Sequence, residues 1–203
     1  MWHAKKKNEE YYIQEIFGQD ISKYEYNATG EYIKYGKHVA CYVDLKYFSQ
    51  PRLLVREITN PVIIACYIEE TFLNDPQLLP IISKENNDTY SLYTLWGILN
   101  SKLATFYHFN HSPKATKGAF PKILVQDLKE FPLPVLDKPI ETKLTALAEE
   151  INREKRNNPV ADTSNLENQI DLLVYKLYGL TYDEVLIVDS ETPITREEYE
   201  SNN

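Results

Sequence analysis

The residues best suited to chemistry in this sequence are cations gathered in one segment that has no acids. Residues 89–126 contain no Asp and no Glu in a chain of net charge −8. They contain four lysines and two histidines, at Lys102, Lys114, Lys117, Lys122, His108 and His111. A lysine ammonium group offers three donors and no acceptor, which suits it to anionic oxygen atoms. The segment is therefore predicted to bind a polyanion.

The second half of this segment, Asn110–Gly118, is predicted to be a loop that makes the contacts. Lys114 and Lys117 are expected to reach phosphate oxygens or the edge of a guanine, and Gly118 gives the loop conformational freedom. Four other side chains offer donors and acceptors to base edges: Asn110, His111, Ser112 and Thr116. The alternative is an exposed loop whose lysines only keep the protein soluble.

A second group of cations precedes this segment. It consists of Arg52, Arg56, Lys34, Lys37 and Lys46. The two arginines are four residues apart in a predicted strand, so their side chains share one face. Contact with DNA is one interpretation of the group. Ion pairs of the arginines with Glu57 or Glu31 are the other.

The common catalytic signatures are absent from the sequence. Its six glycines form neither a Walker loop nor a dinucleotide-binding fingerprint. There is no Gly-x-Ser-x-Gly nucleophile elbow, and no Asn or Asp followed by Pro-Pro-aromatic, the signature of base methylation. We therefore expect a binding domain that has no catalytic residues and no cofactor of its own.

Two weaker arrangements keep other kinds of site open. Asp127-Leu128-Lys129, with an upstream acid at Asp75 or Asp88, fits the pattern of a metal-dependent nuclease. However, so short a pattern often arises by chance. His108 and His111 are three residues apart, but the two cysteines are isolated, whereas zinc sites usually hold them in pairs.

Composition and charge place the chain among globular proteins. Hydrophobic residues make up 43% of the 203 residues, which is enough for a core. An acidic chain is at first sight a poor nucleic-acid binder. The charge is uneven, however, with a net of +1 over residues 1–126 and −9 over residues 127–203. We expect the acidic third to face away from DNA.

Nothing in the sequence predicts a membrane location. There is no apolar run near the roughly 20 residues that span a bilayer, and the charged N-terminus is not followed by the apolar segment of a signal peptide. Cys41 and Cys66 lie in apolar runs and are expected to be reduced and buried. These features predict a cytoplasmic protein of prokaryotic type.

The hydrophobic patterns predict an α+β fold. Its mainly antiparallel β body carries a packed helix that begins near Leu92, and an antiparallel pair of helices follows. Thr181 and Glu184 have capping-box spacing before a last short element. The predicted strands cover residues 38–45, 52–58, 62–68 and, at an edge, 77–83. The predicted regions are the body at 1–136, the helical region at 137–189 and a polar tail at 190–203.

Six short segments occur in an order that resembles a known family. GQDISKYEY at 18–26 resembles the family's opening Gly-x-Asp-Ile-x-x-Tyr, and YIKYG follows at 32–36. PRLLVREIT at 51–59 resembles its Pro-Arg/Lys-hydrophobic-basic strand, and LNSK at 99–102 its Asn-Ser-Lys helix. LKEFPLPVLD at 128–137 and IDLLVYKLYGLTYDEVLIV at 170–188 complete the series. Together they resemble the TaqI-like C-terminal specificity domain of adenine-specific DNA methyltransferases and type IIG restriction-modification enzymes.

The resemblance implies a module that recognises the target sequence in double-stranded DNA. It also implies an upstream methyltransferase domain as a partner, which binds S-adenosylmethionine and flips the target adenine, and Mg²⁺ as a further cofactor if the parent has a nuclease. The chain then resembles the C-terminal piece of a larger enzyme and is expected neither to methylate nor to cleave. The rival hypothesis is a protein-interaction module that acts through the acidic helix pair.

Overall fold

A computed structural model of the chain describes residues 3–7, 12–59, 61–84, 89–116, 120–136 and 138–201. The strands are β1 (His3–Ala4), β2 (Tyr12–Ile16), β3 (Ile21–Ser22), β4 (Glu25–Tyr26), β5 (Tyr32–Lys34), β6 (Arg52–Arg56), β7 (Ala65–Ile68), β8 (Leu73–Asn74) and β9 (Leu78–Ile82). The helices are α1 (Lys46–Ser49), α2 (Leu92–Asn100), α3 (Lys102–His111), α4 (Pro113–Thr116), α5 (Val125–Lys129), α6 (Lys138–Asn157), α7 (Ser164–Leu177), α8 (Tyr182–Val188) and α9 (Arg196–Ser201). The predicted α+β class is confirmed, with mostly antiparallel sheets and helices at the C-terminal end.

Strand β6 is the centre of an antiparallel three-stranded sheet of order β7-β6-β9. Leu53 and Val55 belong to the core between this sheet and the helices. Leu54 points to the opposite face, where it packs with Ile16 of β2. Because both faces are buried, the strand reads as a continuous apolar run between two arginines rather than as an alternating pattern.

Three of the predicted strands are confirmed. The predictions at 52–58, 62–68 and 77–83 correspond to β6, β7 and β9, with shorter bounds. Strand β9 lies at the edge of its sheet, as predicted from Pro80, because proline has no N–H to donate to a second neighbour.

A second sheet, of order β1-β5-β2-β8, adjoins the first. Strands β1, β5 and β2 pair in antiparallel fashion, whereas β2 and β8 are parallel. The approach to β5 requires glycine at position 30. A Cβ on Gly30 would lie 2.5 Å from the carbonyl oxygen of Glu15. Strands β3 and β4 form a separate hairpin.

The helix predicted to begin near Leu92 is two helices that meet at Ser101. Ser101 has extended backbone dihedrals, and its Oγ accepts the N–H of Ala104, which caps α3. At the end of α2, the side chain of Asn100 accepts the N–H of Ala65 and donates to the carbonyl of the same residue, both at 2.9 Å. Trp96 Nε1 donates to that carbonyl at 2.8 Å. The Asn-Ser-Lys segment therefore docks the helices on β7.

The C-terminal helix pair shares its core with the body. The predicted antiparallel pair corresponds to α6 and α7, and Thr181 and Glu184 form the predicted capping box of α8. Apolar residues of the pair belong to the same cluster as Trp96 and the strand residues Leu53 and Val55. These are Leu144, Ala148, Ile151, Ile170 and Val174. The pair thus packs on the β body with its apolar faces covered.

The prediction of a strand at residues 38–45 is wrong. These residues form turns and bends, and Tyr42, Val43 and Leu45 are exposed. Cys41 is also exposed, which corrects the prediction of two buried cysteines, while Cys66 is buried as predicted. The β-branched and aromatic composition suggested a strand, but no neighbouring strand pairs with this segment within the described residues.

The segment predicted as a polar tail is structured. Residues 196–201 form α9, and its Tyr199 is buried against Tyr175 and Val185. Tyr199 also donates from its hydroxyl to the carbonyl of Leu180 at 2.6 Å. One aromatic side chain in a charged segment gave too weak a periodic signal to predict this helix.

Candidate nucleic-acid interface

The cationic segment joins the body where β6 ends. The N–H of Thr59 donates to the carbonyl of Pro121 at 3.0 Å, and the N–H of Ile123 donates to the carbonyl of Glu57 at 2.8 Å. Ile123 is buried, which holds this return of the chain in place. Residues 57–59 and 121–123 therefore form one small ladder, and we call the surface around it the β6 end.

Helix α3 presents its last turn at the β6 end. Asn110 and His111 are exposed. The amide of Asn110 donates to the carbonyl of Phe106 at 2.8 Å, and the ring of His111 stacks on Tyr107 with 4.8 Å between centroids. Both side chains are held by their own helix while their outer faces remain accessible.

The predicted loop after α3 contains a helical turn, α4. Lys114 and Thr116 are exposed on it, and the carbonyl of Lys114 accepts the N–H of Lys122 at 3.1 Å. The backbone under Lys114 is thereby tied to the ladder. Lys117 and Gly118 lie outside the described residues.

Ser112 does not fit its predicted role. It is 5% exposed, and its backbone N–H donates to the carbonyl of His108 at the end of α3. In this structure its hydroxyl is buried and not open to a base edge, because Ser112 sits at the junction of α3 and α4 with Ala115 packed beneath the turn.

His108 belongs to the interior. It is 2% exposed, and its Nε2 lies 3.3 Å from the hydroxyl of Thr59. Burial lowers the pKa of His108, and the charge of Asp127 opposes this only in part. The ring is therefore neutral at pH 7 and links α3 to the β6 end without adding charge.

Arg56 reaches the β6 end from the strand itself. Its side chain is half-buried beside Gly18, and Nε donates to the carbonyl of Ile58 at 3.2 Å. Arg56 lines an open groove of about 470 Å³ together with Gln19, Gln77 and the acid Asp75. Burial lowers the pKa of Arg56, but an arginine remains charged at neutral pH.

The structure corrects the predicted role of Arg52 as a DNA contact. It is fully buried, and its guanidinium donates to the carbonyls of Gln50, Glu70 and Phe72 at 3.1 to 3.2 Å. Burial lowers its pKa to about 10, so it stays charged at pH 7. Arg52 satisfies backbone acceptors inside the protein and is not available to DNA in this structure.

Lys34 and Lys37 lie away from Arg56. Lys34 ends β5 opposite Tyr12, and Lys37 is exposed in the following turn. The predicted second cluster is thus divided among three places. Strand β2 and its continuation run from Tyr12 to Gly18, beside Arg56, so roughly 20 Å separates the lysine end from the arginine end.

Several residues at the β6 end were missed by sequence reasoning. Phe120 is 65% exposed beside the ladder, and an aromatic residue in an acid-free stretch was a signal for it. Gln19 and Gln77 come from separate segments, and nothing local in the sequence connects them with Arg56. Lys122 pairs with Glu57 at 3.1 Å, which reduces its value as a free cation.

The residues of the nuclease and zinc hypotheses have other roles here. Asp127 Oδ2 accepts the N–H of Leu124 at 2.7 Å and caps α5. In the part of the chain that the structure describes, no group of three or more His, Cys, Asp or Glu is arranged to hold a metal ion. Asp88 lies outside that part.

Across the described ranges, no helix is both long and apolar enough to cross a bilayer.

Residues 13–133 match the sequence profile of the TaqI-like C-terminal specificity domain. A curated protein of Methanocaldococcus jannaschii, named "Putative type II restriction enzyme and methyltransferase", is 30% identical over 181 residues. The match covers 85% of this chain and 15% of that protein. The chain belongs to the TaqI-like C-terminal specificity domain family.

Proposed function

We propose that this domain recognises a specific sequence in double-stranded DNA through the β6 end. The observation that carries the proposal is the meeting of two distant cationic segments at one end of a buried strand. Arg56 approaches from β6, while His111, Lys114 and Thr116 approach from α3 and α4. Membership of a specificity-domain family supports recognition of DNA sequence in general.

The proposed roles divide between positioning and reading. Lys114 and Lys117 contact phosphates and set the register of the domain on the duplex. Arg56 offers a guanidinium in a groove with two glutamines and Asp75, a set of planar donors and acceptors suited to base edges. Asn110, His111 and Thr116 complete the reading surface. Backbone hydrogen bonds to the ladder keep the reading groups in place, which sequence discrimination requires.

We further propose that the domain works beside a methyltransferase domain and does no chemistry itself. The name of the archaeal relative, whose length is far greater than the matched part, supports this. The parent enzyme would use S-adenosylmethionine, and Mg²⁺ as well if it also cleaves DNA. This chain supplies the sequence recognition, and the methyltransferase domain and double-stranded DNA are its partners.

The test is selection of duplexes from a randomised pool at low salt, followed by binding measurements on the enriched sequence. Lys114→Ala/Lys117→Ala is expected to raise Kd about tenfold. The slope of the logarithm of the association constant against log salt should become less negative by about 2, because two phosphate contacts are lost. The matched control is Lys138→Ala/Lys143→Ala, which removes the same charge from α6.

The outcome decides the proposal directly. Enrichment of one sequence, with the loop variant impaired and the control unchanged, supports it. Failure of the wild-type chain to enrich any sequence, or equal losses in the two double variants, would contradict it. In the second case the effect of the lysines would be one of net charge alone.

A further inference from the structure

Residues 34–48, which we call the aromatic lobe, are folded without a core of their own. None of residues 31–51, all of which the structure describes, is buried. The lobe is held by Tyr35, whose hydroxyl donates to the carbonyl of Val43 at 2.8 Å and accepts the N–H of Val43 at 3.0 Å. The ring of Tyr35 stacks on Tyr42 at 5.6 Å and meets Phe48 edge-on at 5.7 Å.

This small scaffold displays large apolar side chains to solvent. Tyr42, Val43, Leu45 and Tyr47 are 37–43% exposed and follow one another closely in the chain. Single exposed apolar residues are ordinary, but a contiguous group on a fixed frame marks an interaction surface. Tyrosine suits such a surface because it combines an apolar ring with a hydroxyl that can donate.

The charge of the lobe indicates the kind of partner. Residues 34–48 contain Lys34, Lys37 and Lys46 against a single acid, Asp44. The carboxylate of Asp44 already accepts the N–H of Lys46 at 3.0 Å, in a turn of its own backbone. Lys46 lies over the ring of Tyr47 at 5.0 Å, so cation and aromatic face form one unit. A net positive surface suits an anionic partner, and duplex DNA offers both phosphates for the lysines and sugar faces for the tyrosine rings.

The position of the lobe relates it to the β6 end. Lys34, where the lobe begins, pairs with Tyr12 at one end of β2. Gly18, just beyond the other end, touches Arg56. The separation of roughly 20 Å along the strand is less than one turn of duplex DNA, which is about 34 Å. A single turn is therefore long enough to touch both surfaces.

We propose that the aromatic lobe is a second DNA contact, which binds the sugar-phosphate backbone of the duplex flanking the recognised sequence. This inference rests on the proposed function of the β6 end. Lys37 and Lys46 contact phosphates, while Tyr42 and Tyr47 pack on deoxyribose and donate to phosphate oxygens. Contacts of this kind add affinity in any sequence context, so the lobe strengthens binding without changing the sequence that is read.

The experiment compares a short duplex that covers only the enriched sequence with a duplex one turn longer. Two variants probe the lobe: Tyr42→Ala/Tyr47→Ala and Lys37→Ala/Lys46→Ala. The second leaves the stacked rings of the scaffold unchanged, which guards against local unfolding. Val135→Ala/Val160→Ala, at two of the most exposed apolar side chains, is the control.

Both lobe variants are expected to raise Kd for the longer duplex about tenfold. Kd for the short duplex, and the sequence that is enriched in the selection, should stay the same. In the lysine variant, the slope of the logarithm of the association constant against log salt should also become less negative by about 2. The tyrosine variant should keep the wild-type slope. These results would support the proposal.

Unchanged Kd on the longer duplex would overturn it while leaving the β6 end intact as the reading surface. Loss of a self-association of the wild-type chain in the tyrosine variant, with DNA binding unaltered, would also overturn it by assigning the lobe to a protein contact. Failure of the wild-type chain to bind either duplex would overturn this inference and the proposed function together.

Discussion

At the scale of single residues, Arg52 and Arg56 show how position decides the role of one side chain type. Both leave the same face of β6, on either side of the buried Leu54. Arg52 lies where the chain segments at Gln50, Glu70 and Phe72 converge, and their carbonyls enclose its guanidinium. Arg56 lies at the other end, where the groove beside Gly18 is open.

Substitution should separate these two roles. Arg52→Ala leaves buried carbonyls without donors, and we expect it to lower the free energy of unfolding by about 3 kcal/mol. Arg56→Ala should change that free energy by less than about 1 kcal/mol but raise Kd for DNA about tenfold. Urea unfolding followed by circular dichroism, together with binding to the enriched duplex, checks both. Equal stability losses in the two variants would contradict the assignment.

At the scale of elements, the junction of α2 and α3 depends on an acid from α7. Asp171 is 6% exposed, and its Oδ1 accepts the N–H of Lys102 at 2.9 Å, in the first turn of α3. Lys102 itself extends to Asp189 with an Nζ–Oδ2 distance of 2.6 Å. Burial raises the pKa of Asp171 to about 6, while the N–H and the charge of Lys102 and the charge of Lys23 act in the opposite direction.

This raised pKa predicts a pH dependence of stability with a defined sign. The folded state holds the proton of Asp171 more tightly than the unfolded state does, because the ordinary pKa is 3.8. Its contribution to stability is therefore full below about pH 4 and is lost as the pH rises through about 6. The loss amounts to at most about 3 kcal/mol.

Asp171→Asn keeps the acceptor for Lys102 and removes the titration. We expect the difference in unfolding free energy between the variant and the wild type to shift in favour of the variant between pH 4 and pH 7. Urea unfolding of both proteins across that range measures it. Parallel curves for the two proteins would contradict the prediction.

Also at this scale, the helix pair offers little to the rival hypothesis of a protein-interaction module. The apolar faces of α6 and α7 are already buried in the main core. Arg156, near the end of α6, further ties the pair to the body through Glu69 at 3.1 Å and Glu70 at 2.9 Å. Only the charged outer face remains for a partner, and exposed charged faces contribute little affinity by themselves.

At the scale of the whole molecule, the last helix extends the folded body beyond the predicted helix pair. Tyr199 of α9 packs in a separate cluster with Tyr175, Val185 and Ile194. We expect Tyr199→Ala to lower the free energy of unfolding by about 3 kcal/mol, because a buried aromatic side chain is lost. Glu197→Ala, on the exposed side of α9, should change it by less than about 0.5 kcal/mol.

Thermal unfolding of these two variants beside the wild type provides the measurement. If Tyr199→Ala unfolds at the wild-type temperature, α9 does not contribute to the stability of the body. A loss of similar size in both variants would point to the helix itself rather than to the buried ring.

The distribution of charge is also a property of the whole molecule. The acidic third of the sequence lies largely in α6 to α9, whereas residues 89–126, which supply the lysines of the β6 end, contain no acid, and residues 34–48 contain one. This arrangement keeps a chain of net charge −8 compatible with binding a polyanion. It makes local charge, rather than net charge, the relevant quantity for association.

The sequence alone determined the features that depend on near neighbours. The apolar runs predicted β6, β7 and β9, the spacing of leucines predicted α6 and α7, and Thr181 with Glu184 predicted the cap of α8. The absence of acids from residues 89–126 indicated where to look for a polyanion site. Each of these signals arises within a few residues, where backbone geometry and local hydrogen bonds dominate.

Only the tertiary structure decided which distant residues meet. Thr59 pairs with Pro121, 62 positions further along the chain, and this pairing joins the end of β6, which carries Arg56, to the segment that follows the turn of Lys114. The same packing buried Arg52 and Ser112, and left residues 38–45 without a pairing strand. Burial and long-range pairing depend on the combined shape of all the elements, and no local pattern of residue types records that shape.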